Sequence, residues 1–155
     1  RPRMADDLQP VFNIEKLYVK DLSVEVPNAP AIFMERDAPQ MDVNMATESK
    51  ALGPDVFHTT ITVTVTAKVA DKTMFLVECT QAGIFRIQNV PAEQMPMVLG
   101  IGCPNIVFPY LRETVSDVIV RAGFPPLLLN PVNFEALFMQ QQQAQQQQAA
   151  PAQTH

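Results

Sequence analysis

Cys103-Pro104-Asn105-Ile106-Val107-Phe108-Pro109-Tyr110-Leu111-Arg112-Glu113, continuing through Arg121, decides how the rest of the chain must fold. It reads as a long helix, Pro104 to Ala122, with an abrupt start. Pro104 suits the first helical turn, where no amide donor is needed, and Gly123 suits the position just past the end. Val107, Leu111, Val115, Val118, Ile119 and Ala122 fall on one arc, and Arg112, Glu113, Ser116, Asp117 and Arg121 share the opposite side. Pro109 is close enough to the start to bend the helix without breaking it. A helix this apolar needs a broad flat surface to cover it.

Upstream residues supply that surface as strands. Phe12 to Val26 is strand-like with one defect near Glu15-Lys16: Phe12 and Ile14 alternate before it, and Leu22, Val24 and Val26 after it, with Asp21, Ser23 and Glu25 opposite. Pro27-Asn28-Ala29-Pro30 ends this strand, because proline cannot donate to a ladder. Ala31 to Met34 is a short apolar island, and Met41 to Met45 alternates as a second strand. In the third, Phe57, Ile61, Val63, Val65, Ala67 and Val69 face one way, with Thr59 interrupting their row. His58, Thr60, Thr62, Thr64, Thr66 and Lys68 face the other, a row that suits a solvated sheet face. Asp71-Lys72 reads as a tight turn into a fourth strand, Thr73 to Ile87, kinked at Gly83. Phe75, Val77 and Cys79 share one face of it, and Met74, Leu76, Glu78 and Thr80 the other.

The expected fold is therefore α+β: a four-stranded, largely antiparallel sheet with the long helix on its apolar face. Pro91 to Gly102 reads as a preceding helical segment, loosened at Gly100 and Gly102. Phe124-Pro125-Pro126-Leu127-Leu128-Leu129-Asn130-Pro131 must be extended, since its prolines forbid helix. Asn133 then caps a short helix, Phe134 to Met139. One domain spans residues 11–139. Residues 1–10 read as a flexible N-terminus, with Arg1-Pro2-Arg3 before Met4 as an expression scar or leader remnant, and residues 140–155 as a Gln/Ala-rich mobile tail.

Composition narrows the function. Hydrophobic residues make up 47% of the chain and charged residues only 17%, a pairing expected of an oligomer or of a protein with exposed apolar surface. A net charge of −5 with no basic run argues against nucleic acid as a partner. No apolar run reaches membrane-spanning length, and two cysteines without C-x-x-C spacing point to a reducing cytosol. No cofactor or metal site can be drawn.

Catalytic candidates each meet a simpler explanation. His58 reads as a surface histidine without a second metal ligand at suitable spacing. Cys103 lies where a helix start favours a thiolate, but no histidine activates it, and a buried small residue fits as well. Glu113 and Asp117 lie four apart, yet Asp117 with Arg121 makes an ordinary surface pair. Segment 124–138 is either a core crossover or the lining of a peptide groove. Asp21, Glu25 and Glu78 share one sheet face, which is either simply solvated or a docking patch.

Several blocks resemble the SecB family of bacterial protein-export chaperones. Tyr18-Val19-Lys20-Asp21-Leu22-Ser23-Val24-Glu25-Val26-Pro27-Asn28-Ala29-Pro30 is similar to its N-terminal signature. Gln81-Ala82-Gly83-Ile84-Phe85, the Cys103–Glu113 stretch, Phe124-Pro125-Pro126-Leu127 and Asn130-Pro131-Val132-Asn133-Phe134-Glu135-Ala136-Leu137-Phe138 are similar to later blocks in the same order. The resemblance implies a cytoplasmic bacterial homotetramer, a dimer of dimers, without enzymatic activity. It implies ATP-independent holding of unfolded precursor proteins and their delivery to the SecA motor, with no insertion into the membrane. By matching positions, Asp21, Glu25, Leu76 and Glu78 would carry the SecA contact. Phe124, Leu127, Leu129, Phe134, Leu137 and Phe138 are the positional candidates for client contact. The Gln-rich tail departs from the acidic tail of many relatives. Eight Met and nine Phe with no Trp suit a compliant lining for varied sequences. A small-molecule-binding or hydrolytic domain and a purely structural adaptor are the competing readings.

Overall fold

Residues 8–149 are described by the structure, a computed structural model. Four strands, β1 (Val11–Glu25), β2 (Gln40–Ala51), β3 (Val56–Val69) and β4 (Lys72–Gln88), form one antiparallel sheet in the order β1-β4-β3-β2. The segment between β1 and β2 must therefore cross from one edge of the sheet to the other. It does so through a 3-10 turn, Ala31–Met34, the apolar island of the sequence, which buries Ile32. A helical run follows β4: a 3-10 turn at Ala92–Gln94, the short α1 (Met95–Met97), a π-turn at Val98–Gly102 and the long α2 (Cys103–Arg121). The last helix is α3 (Phe134–Ala149).

The core lies between α2 and the two central strands. Val107, Leu111, Val115, Val118 and Ile119 bury the predicted arc against Ile61, Val63, Val65, Val77, Cys79 and Phe85. Gly83 makes this approach possible: a Cβ there would stand 2.8 Å from the Phe85 ring and 3.1 Å from Val107. β4 continues through it in unbroken register. At the far end α2 stops in a Schellman motif, with Phe124 N–H donating to Ile119 O, Gly123 N–H to Val120 O, and Gly123 at φ +99°.

Four sequence expectations need correction. Pro104 does not start a helix; Gly102 is already helical, and the π-turn leads into α2 without interruption. Cys103 N–H donates to Val98 O, an i→i−5 bond that leaves Leu99 O facing Pro104, which has no amide donor. The Ser49 hydroxyl supplies the missing bond at 3.1 Å. The β3–β4 turn is Ala70-Asp71, both at positive φ as a two-residue hairpin requires, rather than Asp71-Lys72.

β1 carries two bulges rather than one, at Glu15 and at Lys20. A single extra residue would have sent Phe12 and Leu22 to opposite faces; the second restores the parity. Phe12, Ile14, Leu17, Val19, Leu22 and Val24 consequently all align with core-facing partners on β4. Finally, α3 does not end at Met139 but runs to Ala149, so much of the glutamine stretch is helical, and 150–155 lie outside the described residues.

Candidate functional site

The solvent side of the sheet assembles the predicted acidic residues. Glu25 is paired with Leu76, Ser23 with Glu78 and Asp21 with Thr80, so Asp21, Glu25, Leu76 and Glu78 all project from one face. The second bulge is the cause: without Lys20 as the extra residue, Asp21 and Glu25 would point into the core. The three carboxylates are exposed, and Leu76 is half-buried among them. Asp42 joins the same corner through the Asp42–Thr66–Leu76 row, held by Asn44 at 3.4 Å. The sequence reading missed it, although the alternation of Met41, Val43 and Met45 already put Asp42 on the polar side.

Farther along the same face, His58 is not a surface histidine. The residue is only 7% exposed and its ring lies 2.7 Å from the Tyr18 hydroxyl, bridging β3 to β1 over Ala82, which is fully buried. Burial holds the imidazole below its ordinary range, and Lys20 and Lys50 push the same way against Glu48. Thr59 likewise does not interrupt the apolar row. It is fully buried within it, its hydroxyl 2.7 Å from Ser49 Oγ. Burial pushes the Cys103 thiol up to about 11, which removes the thiolate a nucleophile needs. Among the described residues no cluster of His, Cys, Asp and Glu could hold a metal ion.

The predicted client residues do not form one surface. Phe124 and Leu127 line an open groove of about 460 Å³ with Phe33, Met41, Met74 and Pro126. Phe124 is nearly buried there, stacked on Phe33 at 5.1 Å and tilted against Phe75 at 4.9 Å. Leu129 packs half-buried at the edge of the core. Phe134 is a core residue, 3% exposed and edge-on to Phe108 at 5.8 Å. Asn133 caps α3 as expected, accepting from Ala136 N–H at 3.0 Å. Phe138 lies against Gly100, where any Cβ would come within 2.5 Å of its ring, and lines a second recess with Met97, Ile101 and Met139. Leu137 is 40% exposed. Phe33, Met41 and Met74 were missed; the unexplained apolar island held the signal for Phe33. Met74, expected on the polar face with Leu76, is instead the extra residue between the Ala67–Phe75 and Lys68–Thr73 pairs and lies buried in the groove.

One further feature belongs with the groove. The helix covers β3 and β4 but not the outer strands. Phe12, Ile14, Val19, Leu22 and Val24 on β1, and Met41 and Val43 on β2, lie on the helix side yet remain 39–49% exposed. Apolar rows of this kind, flanking a helix on both sides, are what a subunit interface or an apolar ligand covers.

Comparison with known proteins agrees with this architecture. The family described as Preprotein translocase subunit SecB matches residues 5–146. The Protein-export protein SecB of Thiobacillus denitrificans is 83% identical over 152 residues, covering 98% of this chain and 100% of that protein. The protein of the same name from Methylobacillus flagellatus is 58% identical over 151 residues, covering 97% and 96%. Among solved structures, a SecB-like chaperone of Mycobacterium tuberculosis, in complex with a ChAD peptide from an antitoxin, is similar in fold. Its TM-score is 0.62 at 18% identity, covering 79% of this chain and 88% of that one. With a family match across nearly its whole length, and relatives this similar from end to end, the chain belongs to the SecB family of protein-export chaperones.

Proposed function

We propose that this chain holds unfolded precursor proteins without ATP, in the cytoplasm, and hands them to SecA, with no enzymatic step of its own. One observation carries the reading: the apolar groove and exposed apolar rows lie on one side of the sheet, and the acidic corner lies on the other. A client held in the groove leaves the acidic corner free for a motor. Asp21, Glu25, Leu76 and Glu78 are the SecA contact, where charge steers a basic surface and Leu76 adds apolar area. Phe124, Leu127 and Leu137 take client segments, with Phe138 and Leu129 at the margins. Phe134 supports the groove from inside rather than touching a client.

The assembly is a homotetramer, a dimer of dimers, in which the uncovered rows of β1 and β2 are buried between copies. That accounts for an apolar fraction of 47% beside only 17% charged residues. The test is light scattering of a chemically denatured protein diluted into buffer with the chaperone. Aggregation should be suppressed equally with and without ATP, and no suppression in either condition would refute the holding function.

A further inference from the structure

The solvent face of the sheet is electrically divided. Opposite the acidic corner, one row crosses all four strands: Lys16 pairs with Ile84, Ile84 with His58, and His58 with Lys50. With strands about 4.8 Å apart, Lys16 and Lys50 stand about 14 Å from each other, roughly the length of four extended residues. Lys20, the extra residue of the second bulge, acts on the His58 ring from the same side. All three lysines are exposed, and neither ion pair among the described residues includes one of them. The acids nearby do not cancel the row: Glu15 is taken by Arg86 at 2.7 Å, which leaves Glu48, and Asp21 beside Lys20, against three cations.

The row and the acidic corner are also separated. Measured along β4 from Ile84, Asp21 at the level of Thr80 is about 14 Å away, Glu78 about 20 Å and Glu25 at the level of Leu76 about 27 Å. Each distance is more than one Debye length at physiological salt, with Lys20 at the boundary beside Asp21. Each end therefore presents its own sign to an approaching molecule. A partner with only a basic patch would be drawn to one end and repelled by the other. The Tyr18–His58 bridge, sealed over Ala82, keeps the middle of the row rigid.

We propose that the Lys16–His58–Lys50 row is the second half of the docking face, seating an acidic segment of the same protein partner whose basic patch meets Asp21, Glu25 and Glu78. The partner is then bound in one orientation. This rests on reading the acidic corner as the SecA contact, and the test separates the two. SecA affinity is measured for the full chain, for Lys16→Glu with Lys50→Glu, and for Asp21→Lys with Glu78→Lys, at low and physiological salt.

The lysine reversal should weaken binding about tenfold or more, with the loss shrinking as salt rises, while aggregation suppression is kept. Lys16→Gln with Lys50→Gln should give a smaller loss of the same sign. A face acting through its acids alone would bind SecA more tightly once two carboxylates are added. Unchanged or tightened affinity in the lysine reversal, beside lost affinity in the acid reversal, overturns the row and keeps the corner. Unchanged affinity in the acid reversal refutes the corner, and with it the two-ended face. All four residues are exposed, so circular dichroism should show the same fold throughout.

Discussion

On the helix side of β3 and β4, Ile61, Val63, Val65, Val77 and Phe85 are almost wholly removed from water, whereas Thr62, Thr64, Glu78 and Thr80 on the other side of the same strands stay partly or fully wet. The first side is governed by shape. Gly83 and Gly100 are required where a helix or a ring comes close, and a buried hydroxyl such as Thr59 is kept only because Ser49 meets it. The second side is governed by charge, with close packing where Tyr18 and His58 seal over Ala82. A surface of the first kind binds whatever is apolar and pliable; one of the second kind selects by the pattern of sign. Two partners of different chemistry can thus share one sheet without competing for residues.

The sharpest break in that comparison is expected within the segment proposed to hold client. Phe134→Ala should cost about 3–4 kcal/mol, because it empties a ring site inside the core. Leu137→Ala, three residues on and 40% exposed, should change stability by less than about 1 kcal/mol while weakening client holding. Urea midpoints at fixed protein concentration, read beside aggregation suppression, check both. Equal midpoints for the two variants would contradict the assignment of Phe134 to the core.

The solvent side should respond differently. Asp21→Lys with Glu78→Lys should lower SecA affinity by about a hundredfold at low salt and leave stability and client holding as they were. Loss of client holding in that variant would show that the two sides are not independent.

The smallest effect concerns His58. Burial, then Lys20 and Lys50, hold its pKa below the ordinary 6.5, so the unfolded chain takes up this proton at higher pH than the folded one. Stability from this source is complete above the ordinary imidazole range and is lost as pH falls through it. His58→Gln should flatten the decline between about pH 7 and 5 seen in thermal melts. Parallel declines for the two proteins would show that the imidazole is free to protonate in place.

Much of this was legible in the sequence, and the failures share a cause. The α2 arc, the alternation of β3 and β4, the apolar and polar sides, and the Asn133 cap follow from period and local chemistry. His58 and Thr59 were misplaced because a strand's alternation gives the side of the sheet but not what lies over it. Tyr18 reaches His58 from two strands away, and Ser49 reaches Thr59 from a part of β2 whose Ala-Thr-Glu-Ser-Lys-Ala sequence shows no alternation. The second bulge of β1 escaped because two insertions cancel in parity. Pro104 misled because a preceding π-turn tolerates a missing amide as well as a helix start does. The shared face of Asp21, Glu25 and Glu78 follows from alternation and agrees with the register, while the residues proposed for client contact divided into groove, core and margin only once the chain was folded.

The most direct test of the two-sided account is sedimentation of the chaperone with an unfolded client and SecA together. A species containing all three, formed with unchanged client occupancy, is the expected result. Stoichiometric release of client as SecA binds, in the absence of ATP, would contradict it.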